Sequence, residues 1–407
     1  MTRYDLLIRN ANVHRQGGGL DVAIKDGSIV QIGKNISGAG VSVEAEGKLL
    51  SPGFVDSHTH IDKAFVPGDS SSADLISAIA AWKRYEQGLS EEQIYGDILA
   101  RSRRLLDMAI RSGTTAIKTN VLISPAWKLK ALELMARLRD EYRDRIDILT
   151  AVPWEKSFEK ELDEAASGGA VDFIAGYPTI SPDYRADVDA IFRKADQFGL
   201  PIDIHVDESD LPDINCFEYV LDKTIKTGMG GRVTCGHVTA LSAVGMDEKR
   251  AKKAVEKTAE AQVNITTLTS CNMFLMAGNR RGPTRVKEFL DAGVNVAVAS
   301  DNIRDPFRPF GNADLLEEAL LTAQVHKLAL PDQLKKVFDM ITYNGAKNSL
   351  LHNYGIDPGA AADLVLLDAA TEHEALVSQA RKLLVIKRGK VVYSCRGLNV
   401  QEPVIKP

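Results

Sequence analysis

The chain has 407 residues, 44% of them hydrophobic, a formal net charge of −5 and a pI near 6.0. That length suffices for an α/β barrel of ~250 residues plus a smaller domain, and the mild acidity supplies no basic footprint for a nucleic-acid partner. No stretch approaches the ~18 uninterrupted apolar residues of a membrane span, and the Met1–Asn10 stretch lacks a long apolar leader segment, so a soluble, cytoplasmic protein with no membrane partner is expected.

Residues 4–50 read as short strands at Tyr4–Arg9, Leu20–Lys25, Ser28–Ile32 and Val41–Glu44, separated by Gly-rich or Asp-Gly reversals at Gly17–Gly19, Asp26–Gly27 and Gly38–Gly40. Eight apolar strand candidates follow: Leu50–His58, Thr114–Val121, Asp147–Val152, Val171–Ala175, Ile202–Val206, Arg232–His237, Gln262–Thr267 and Val294–Ser300. Helical stretches such as Lys128–Tyr142, Asp187–Phe198 and Arg285–Ala292 alternate with them. Alternation predicts a parallel sheet, and eight strands favour closure into a (β/α)8 barrel. The chain closes with strands at Asp363–Leu367, Lys382–Lys387 and Lys390–Ser394, the last two joined by a hairpin turn at Arg388–Gly389. Neither terminal block alone buries two faces, so both are expected to build one small β-sandwich, with residues 1–52 and 357–407 flanking a barrel over 53–356.

Barrel chemistry gathers where strands end and βα loops begin. Of the eight histidines, four fall at such ends: His58 and His60 after the first strand, His205 after the fifth and His237 after the sixth. Asp301 follows the eighth. Two residues apart on extended chain, His58 and His60 point to one side and can reach one ion. A His-x-His pair alone is weak evidence, but convergence of four histidines and an aspartate on one barrel mouth argues for a metal site. Three imidazoles and a carboxylate suit zinc or iron(II) with a position left for water, whose acidity the ion would raise. Glu208, three residues beyond His205, fits a proton carrier over that water; it fits equally a solvated acidic loop, since Asp207 and Asp210 flank it. The cysteines Cys216, Cys235, Cys271 and Cys395 form no Cys-x-x-Cys pair and suit a reducing compartment.

Ser51-Pro-Gly-Phe-Val-Asp-Ser-His58-Thr-His60-Ile-Asp62-Lys63 resembles the first-strand signature of the amidohydrolase superfamily. Asp203-Ile-His205-Val-Asp-Glu208, Val233-Thr-Cys-Gly-His237, Arg280–Glu288, Ser300–Phe307 and Asn353–Val365 resemble its cytosine deaminase branch, so the similarity runs nearly end to end. The resemblance implies one divalent ion, zinc or iron, on His58, His60, His205 and Asp301. It also implies His237 at the water or oxyanion, Glu208 shuttling protons to a ring nitrogen, and Asp301 helping to deprotonate water. Binuclear relatives use a carboxylated lysine at the end of strand four. Val171–Pro178 has none, which favours one metal, and Lys118 on strand two reads as a barrel-mouth or structural residue.

Departures bear on the substrate. Trp154 stands where cytosine deaminases carry a pyrimidine-reading glutamine, and core packing or stacking on a flat ring are comparable readings of it. Asn120 replaces a histidine of the pattern and Asn302 a second aspartate; a site built for one donor set rejects another. Phe307 completes the expected substrate contacts. Arg304 and Arg308 are either solvated or salt-bridged, or face the pocket and favour an anionic or carbonyl-rich substrate. Parts of the chain also resemble the N-isopropylammelide hydrolases, which lack the Glu208 equivalent. The expected activity is thus hydrolytic deamination of a small nitrogen heterocycle, pyrimidine- or triazine-like, with cytosine not its best substrate. Hydrolysis of a cyclic amide or release of an alkylamine is the alternative; a metal-binding protein without turnover is a third reading. A homo-oligomer is compatible with the resemblance, but no interface is readable.

Overall fold

A computed structural model describes residues 4–66, 74–121, 123, 130–275, 282–395 and 400–401. Lys128, Leu129, Arg280 and Arg281, which belong to segments singled out above, lie outside the described residues. Eight strands, Phe54–Thr59, Thr114–Asn120, Asp147–Pro153, Phe173–Gly176, Ile202–Val206, Val233–His237, Asn264–Thr267 and Val296–Val298, pair in parallel and in chain order. The first and last meet through a parallel bridge between Thr59 and Asp301, where the Asp301 N–H donates to His58 O at 2.9 Å. The expected barrel is present, and helices including Glu91–Arg111, Lys130–Tyr142, Tyr184–Phe198, Asn215–Thr227 and Glu248–Glu260 follow its strands.

Local chemistry sets these boundaries. Ser90 and Gln93 form a reciprocal capping box before Glu91–Arg111, and Asp183 and Asp247 each accept backbone N–H bonds at the starts of their helices. The helix Tyr184–Phe198 ends where Gly199 turns left-handed at φ 66°, a conformation free of Cβ strain only for glycine.

The terminal segments form one mixed sheet of nine strands. Its main path runs Lys390–Ser394, Lys382–Lys387, Leu364–Leu367, Leu49–Pro52, Tyr4–Val13, Gly17–Lys25 and Ser28–Gly33; Ala39–Glu44 joins alongside Tyr4–Val13 and pairs with Val400–Gln401. Period-two alternation divides its side chains between two cores. Leu364, Leu366, Leu384 and Ile386 pack with Leu6, Ile8, Val22 and Ile24 inside the terminal domain. Val365, Leu367 and Val385 point the other way, into the core shared with the barrel.

The single strand expected at Leu50–His58 is two strands in two sheets. Leu49–Pro52 pairs antiparallel with Leu364–Leu366, and Phe54–Thr59 enters the barrel. Gly53 is the hinge: its N–H donates to Asp363 O, its carbonyl accepts from the Tyr354 hydroxyl, and a Cβ there would lie 2.2 Å from Thr115.

A candidate metal centre

His58 is the penultimate residue of the fully buried first barrel strand and His60 sits one residue past its end, so both lie at the barrel mouth. There the Nε2 atoms converge: His58 to His205 at 3.1 Å, His205 to His60 at 3.4 Å. Asp301 Oδ1 lies 3.3 Å from His60 Nε2 and 3.9 Å from His58 Nε2. All four residues are buried. The donor sets His58–His60–His205 and His58–His237–Asp301 are each compact enough to hold one ion.

Backbone strain marks the same strand ends. Asp207, His237 and Asp301 adopt φ of 47°, 67° and 57°, and Val238 follows at 50°. Asp and His tolerate that region comparatively well, whereas a β-branched valine is an outlier there. Val238 is held by N–H bonds to Val206 O and Gly236 O, so the neighbouring strand fixes the turn that aims His237 inward.

His58 and His237 are oriented from behind. His58 Nδ1 lies 3.5 Å from Asp203 Oδ1 and 3.4 Å from Asn120 Nδ2. Asp203 in turn is ion-paired with Lys118, both fully buried, and Lys118 also donates to Asn348 O and lies over the Phe173 ring. Lys118 is thus a structural residue that charges the carboxylate behind a candidate ligand. His237 Nδ1 meets Asn272 Oδ1 at 2.9 Å, which turns His237 Nε2 toward Glu208 Oε2, 3.7 Å away. The Tyr177 ring packs on His205 with centroids 4.5 Å apart.

The electrostatics suit ligation by neutral imidazoles and an ionised carboxylate. Burial, then the Lys63 charge, depresses His60 to about 3. Burial and the neighbouring histidines hold His205 well below its usual value. Burial alone would raise the Asp301 carboxyl; the His60 hydrogen bond and the fields of His237, His60 and His58 outweigh it and keep it low. Asp203 likewise is pulled against burial, chiefly by Lys118, to about 2.

Above the cluster opens a cavity of about 400 Å³, within the usual size of small-ligand pockets. His60, His205, His237, Glu208 and Asp301 form its polar floor. Leu75, Ile79 and Trp82 from the helix Leu75–Gln87 line its outer wall, and this helix rests through Leu75 and Ala78 beside Cys271, Phe274 and Phe307.

The remaining sequence candidates separate. Asn302 and Phe307 line the cavity; the Asn302 amide donates to Asp305 at 2.6 Å. Asn120 stands behind His58, and Trp154 packs against the barrel core, neither in the cavity lining. Arg308 is buried and paired with Glu318 at 2.7 Å, and Arg304 is exposed, its Nε donating to Gly311 O. Neither arginine lines the cavity; Lys63 does. Asp207 does not belong to a solvated loop: it is buried, accepts from Phe217 N–H, and burial raises it to about 7. Asp203 and Asn272 were given no role by sequence, although Asn272 stands in a polar Thr-Ser-Cys-Asn run directly beyond strand seven.

The amidohydrolase family model matches residues 42–167 and 161–393. The chain is 29% identical over 405 residues to N-isopropylammelide isopropyl amidohydrolase of Pseudomonas sp. strain ADP, covering 96% of this chain and 97% of that one. It is 28% identical to the pterin deaminase of Rhizobium rhizogenes, over 91% of this chain and 87% of the relative. The crystal structure of 5-methylcytosine deaminase from Klebsiella pneumoniae liganded with 5-fluorocytosine superposes with a TM-score of 0.88 at 26% identity, covering 97% of this chain and 99% of that chain. The chain belongs to the amidohydrolase family and is a hydrolase of C–N bonds.

Proposed function

We propose that this protein hydrolytically deaminates a small nitrogen heterocycle, a pyrimidine, triazine or related ring with cytosine not its best substrate, using one divalent ion. The observation that carries this reading is Glu208 Oε2 lying 3.7 Å from His237 Nε2 at the edge of a cavity floored by three convergent imidazoles and Asp301. Three Nε2 atoms lie within 3.1 and 3.4 Å contacts of one another, close enough for one cation to take a lone pair from each ring. His58, His60, His205 and Asp301 would hold that ion, zinc or iron(II) by donor type. When bound, it would supply a water-derived nucleophile near neutral pH and polarise the electrophilic ring carbon.

The chain's own residues account for the rest. Asp301 takes a proton from the attacking water. Glu208 delivers one to the ring nitrogen beside the attacked carbon. His237, its Nδ1 fixed by Asn272, directs Nε2 at the oxygen on which charge develops. A C–O bond forms, the exocyclic C–N bond breaks, and ammonia leaves with the second water proton. Likeness to a pterin deaminase and a 5-methylcytosine deaminase supports deamination. Likeness to an N-isopropylammelide isopropyl amidohydrolase supports a second outcome of the same chemistry, release of an alkylamine.

A panel of amino-substituted and N-alkylated pyrimidines, triazines and pterins, assayed with zinc- and iron-loaded protein, separates these. Ammonia release without ring opening supports the proposal; a ring-opened acid or a free alkylamine overturns it. Glu208→Gln should retain its metal and lose ~10²–10⁴-fold in turnover. Unchanged turnover in that variant would remove Glu208 from the mechanism.

A further inference from the structure

The cavity contains a cation that the reaction outlined above does not use. Lys63 is 7% exposed and its side chain lines the cavity beside Asn302 and Phe307. Its Nζ lies 3.3 Å from His60 Nδ1 and 5.3 Å from the centre of the Phe307 ring. No carboxylate lies within ion-pair distance of it among the described residues. The Asp305 carboxylate nearby is already occupied, accepting from the Asn302 amide and from the backbone N–H groups of Phe307 and Arg308. Buried charges are ordinarily paired; Lys63 shares the cavity lining with Glu86, Glu155, Glu208 and Asp301 and its charge acts on Asp305, yet it makes no direct ion pair with a carboxylate among the described residues.

The contact with His60 does not replace such a pair. His60 turns Nε2 toward His205 and Asp301. If that nitrogen is a ligand, the ring proton resides on Nδ1, and Nδ1–H and the ammonium then face each other donor to donor. The Lys63 side chain lines the cavity at this point. A second donor lines the same space: the Tyr177 hydroxyl is buried and has no hydrogen-bond partner among the described residues.

We propose that Lys63, with Tyr177 as a neutral co-donor, is a specificity-determining residue that recognises a negatively charged oxygen on the substrate ring, an oxo anion or a ring carboxylate. This inference rests on the cavity being a heterocycle site, and it transfers to Lys63 the anion preference that the sequence suggested for Arg304 and Arg308. Both arginines are engaged elsewhere, whereas Lys63 is in the cavity.

Isothermal titration of zinc-loaded protein tests it with three six-membered rings that carry no leaving amine: barbiturate (oxo anion), orotate (carboxylate) and neutral uracil. Wild-type protein should bind one or both anions at least ~10-fold tighter than uracil, and the tighter anion identifies the oxygen recognised. Lys63→Met and Lys63→Gln should erase that preference with zinc content and uracil affinity unchanged, and Lys63→Arg should restore part of it. A wild type without anion preference overturns the inference without recourse to any variant. So does a preference that survives in Lys63→Met, since it would then belong to the metal alone. Because these ligands do not react, the outcome is independent of whether Glu208→Gln abolishes ammonia release.

Discussion

Charge is buried at both ends of the barrel, and the two ends handle it differently. At the bottom, where strands begin, Lys387 is fully buried and its Nζ meets Asp147 and Asp363 at 2.6 Å each and Thr115 O at 3.0 Å. An ammonium has three protons, and each has an acceptor. At the top, imidazole nitrogens converge at 3.1 and 3.4 Å, the Tyr177 hydroxyl is unpartnered among the described residues, and Lys63 makes no ion pair with a carboxylate there. Complete pairing locks the terminal sheet to the barrel. Incomplete pairing leaves a vessel for an ion and a ligand. Barrel enzymes separate stability at the strand starts from chemistry at the strand ends in this way.

The largest effect that sharpens this contrast should come from below. Lys387→Met leaves two carboxylates at the junction short of their counter-charge, although Arg388 still reaches both through its backbone N–H and guanidinium. Removing one partner of a buried ion pair costs about 3–5 kcal/mol. Denaturant unfolding should show a lower midpoint of that order, while zinc content and turnover per folded molecule stay at wild-type values. A midpoint that does not move would mean that the junction charges are not structural.

A smaller effect is expected from the support behind the cluster. Asp203→Asn removes the carboxylate beside His58 Nδ1 and the counter-charge of Lys118. Loss of such an orienting partner lowers metal affinity by ~10–100-fold. Competitive zinc titration of the folded variant measures it, and unchanged affinity would show that His58 needs no fixing from behind.

The barrel and the strand-end cluster were legible because both are periodic. Alternating strand and helix patterns count out eight units, and His58, His60, His205, His237 and Asp301 each occupy a position that the pattern defines. Pairings across the barrel are not periodic. Lys118 and Asp203 lie on strands two and five, and nothing in a spacing of that kind connects them; Asn272 reaches His237 from a short helix, Thr269–Phe274. The fate of Arg308 depended on Glu318, an acid on the buried face of the helix Leu315–Val325, which is visible in sequence only as a charge among leucines and alanines. Apolar continuity over Leu50–His58 hid a change of sheet, and the Pro52–Gly53 step was the only mark of it. Lys63 stood inside the quoted first-strand signature without a role, since neither burial nor missing partners can be read along a chain.

The smallest predicted effect sits at the terminal-domain interface and depends on pH. His14 is buried between Asp339 (Nε2, 3.0 Å) and Glu372 (Nδ1, 2.5 Å), joining the first strand of the chain to the helices Pro331–Met340 and Glu372–Val377. Burial opposes the charged ring, but the hydrogen bonds and fields of the two carboxylates outweigh it and raise His14 above 6.5. A raised folded value gives stabilisation that is fully present below the unfolded value, ~6.5, and lost as pH climbs through the folded one. Asp339 is lowered against burial by His14 and Arg15, and Glu372 by its His14 hydrogen bond first. Their contribution runs the other way, present above the unfolded carboxyl range and lost in acid. The cluster therefore stabilises most between the two ranges. His14→Gln keeps neutral hydrogen bonds and loses the charge, at a cost of about 1 kcal/mol. The gap in Tm between wild type and His14→Gln should be widest between the carboxyl range and about pH 6.5 and should shrink as pH climbs through the raised His14 value. A gap that is constant across that interval would place His14 among the neutral, merely packed residues and extend the unpaired pattern of the cavity to the junction as well.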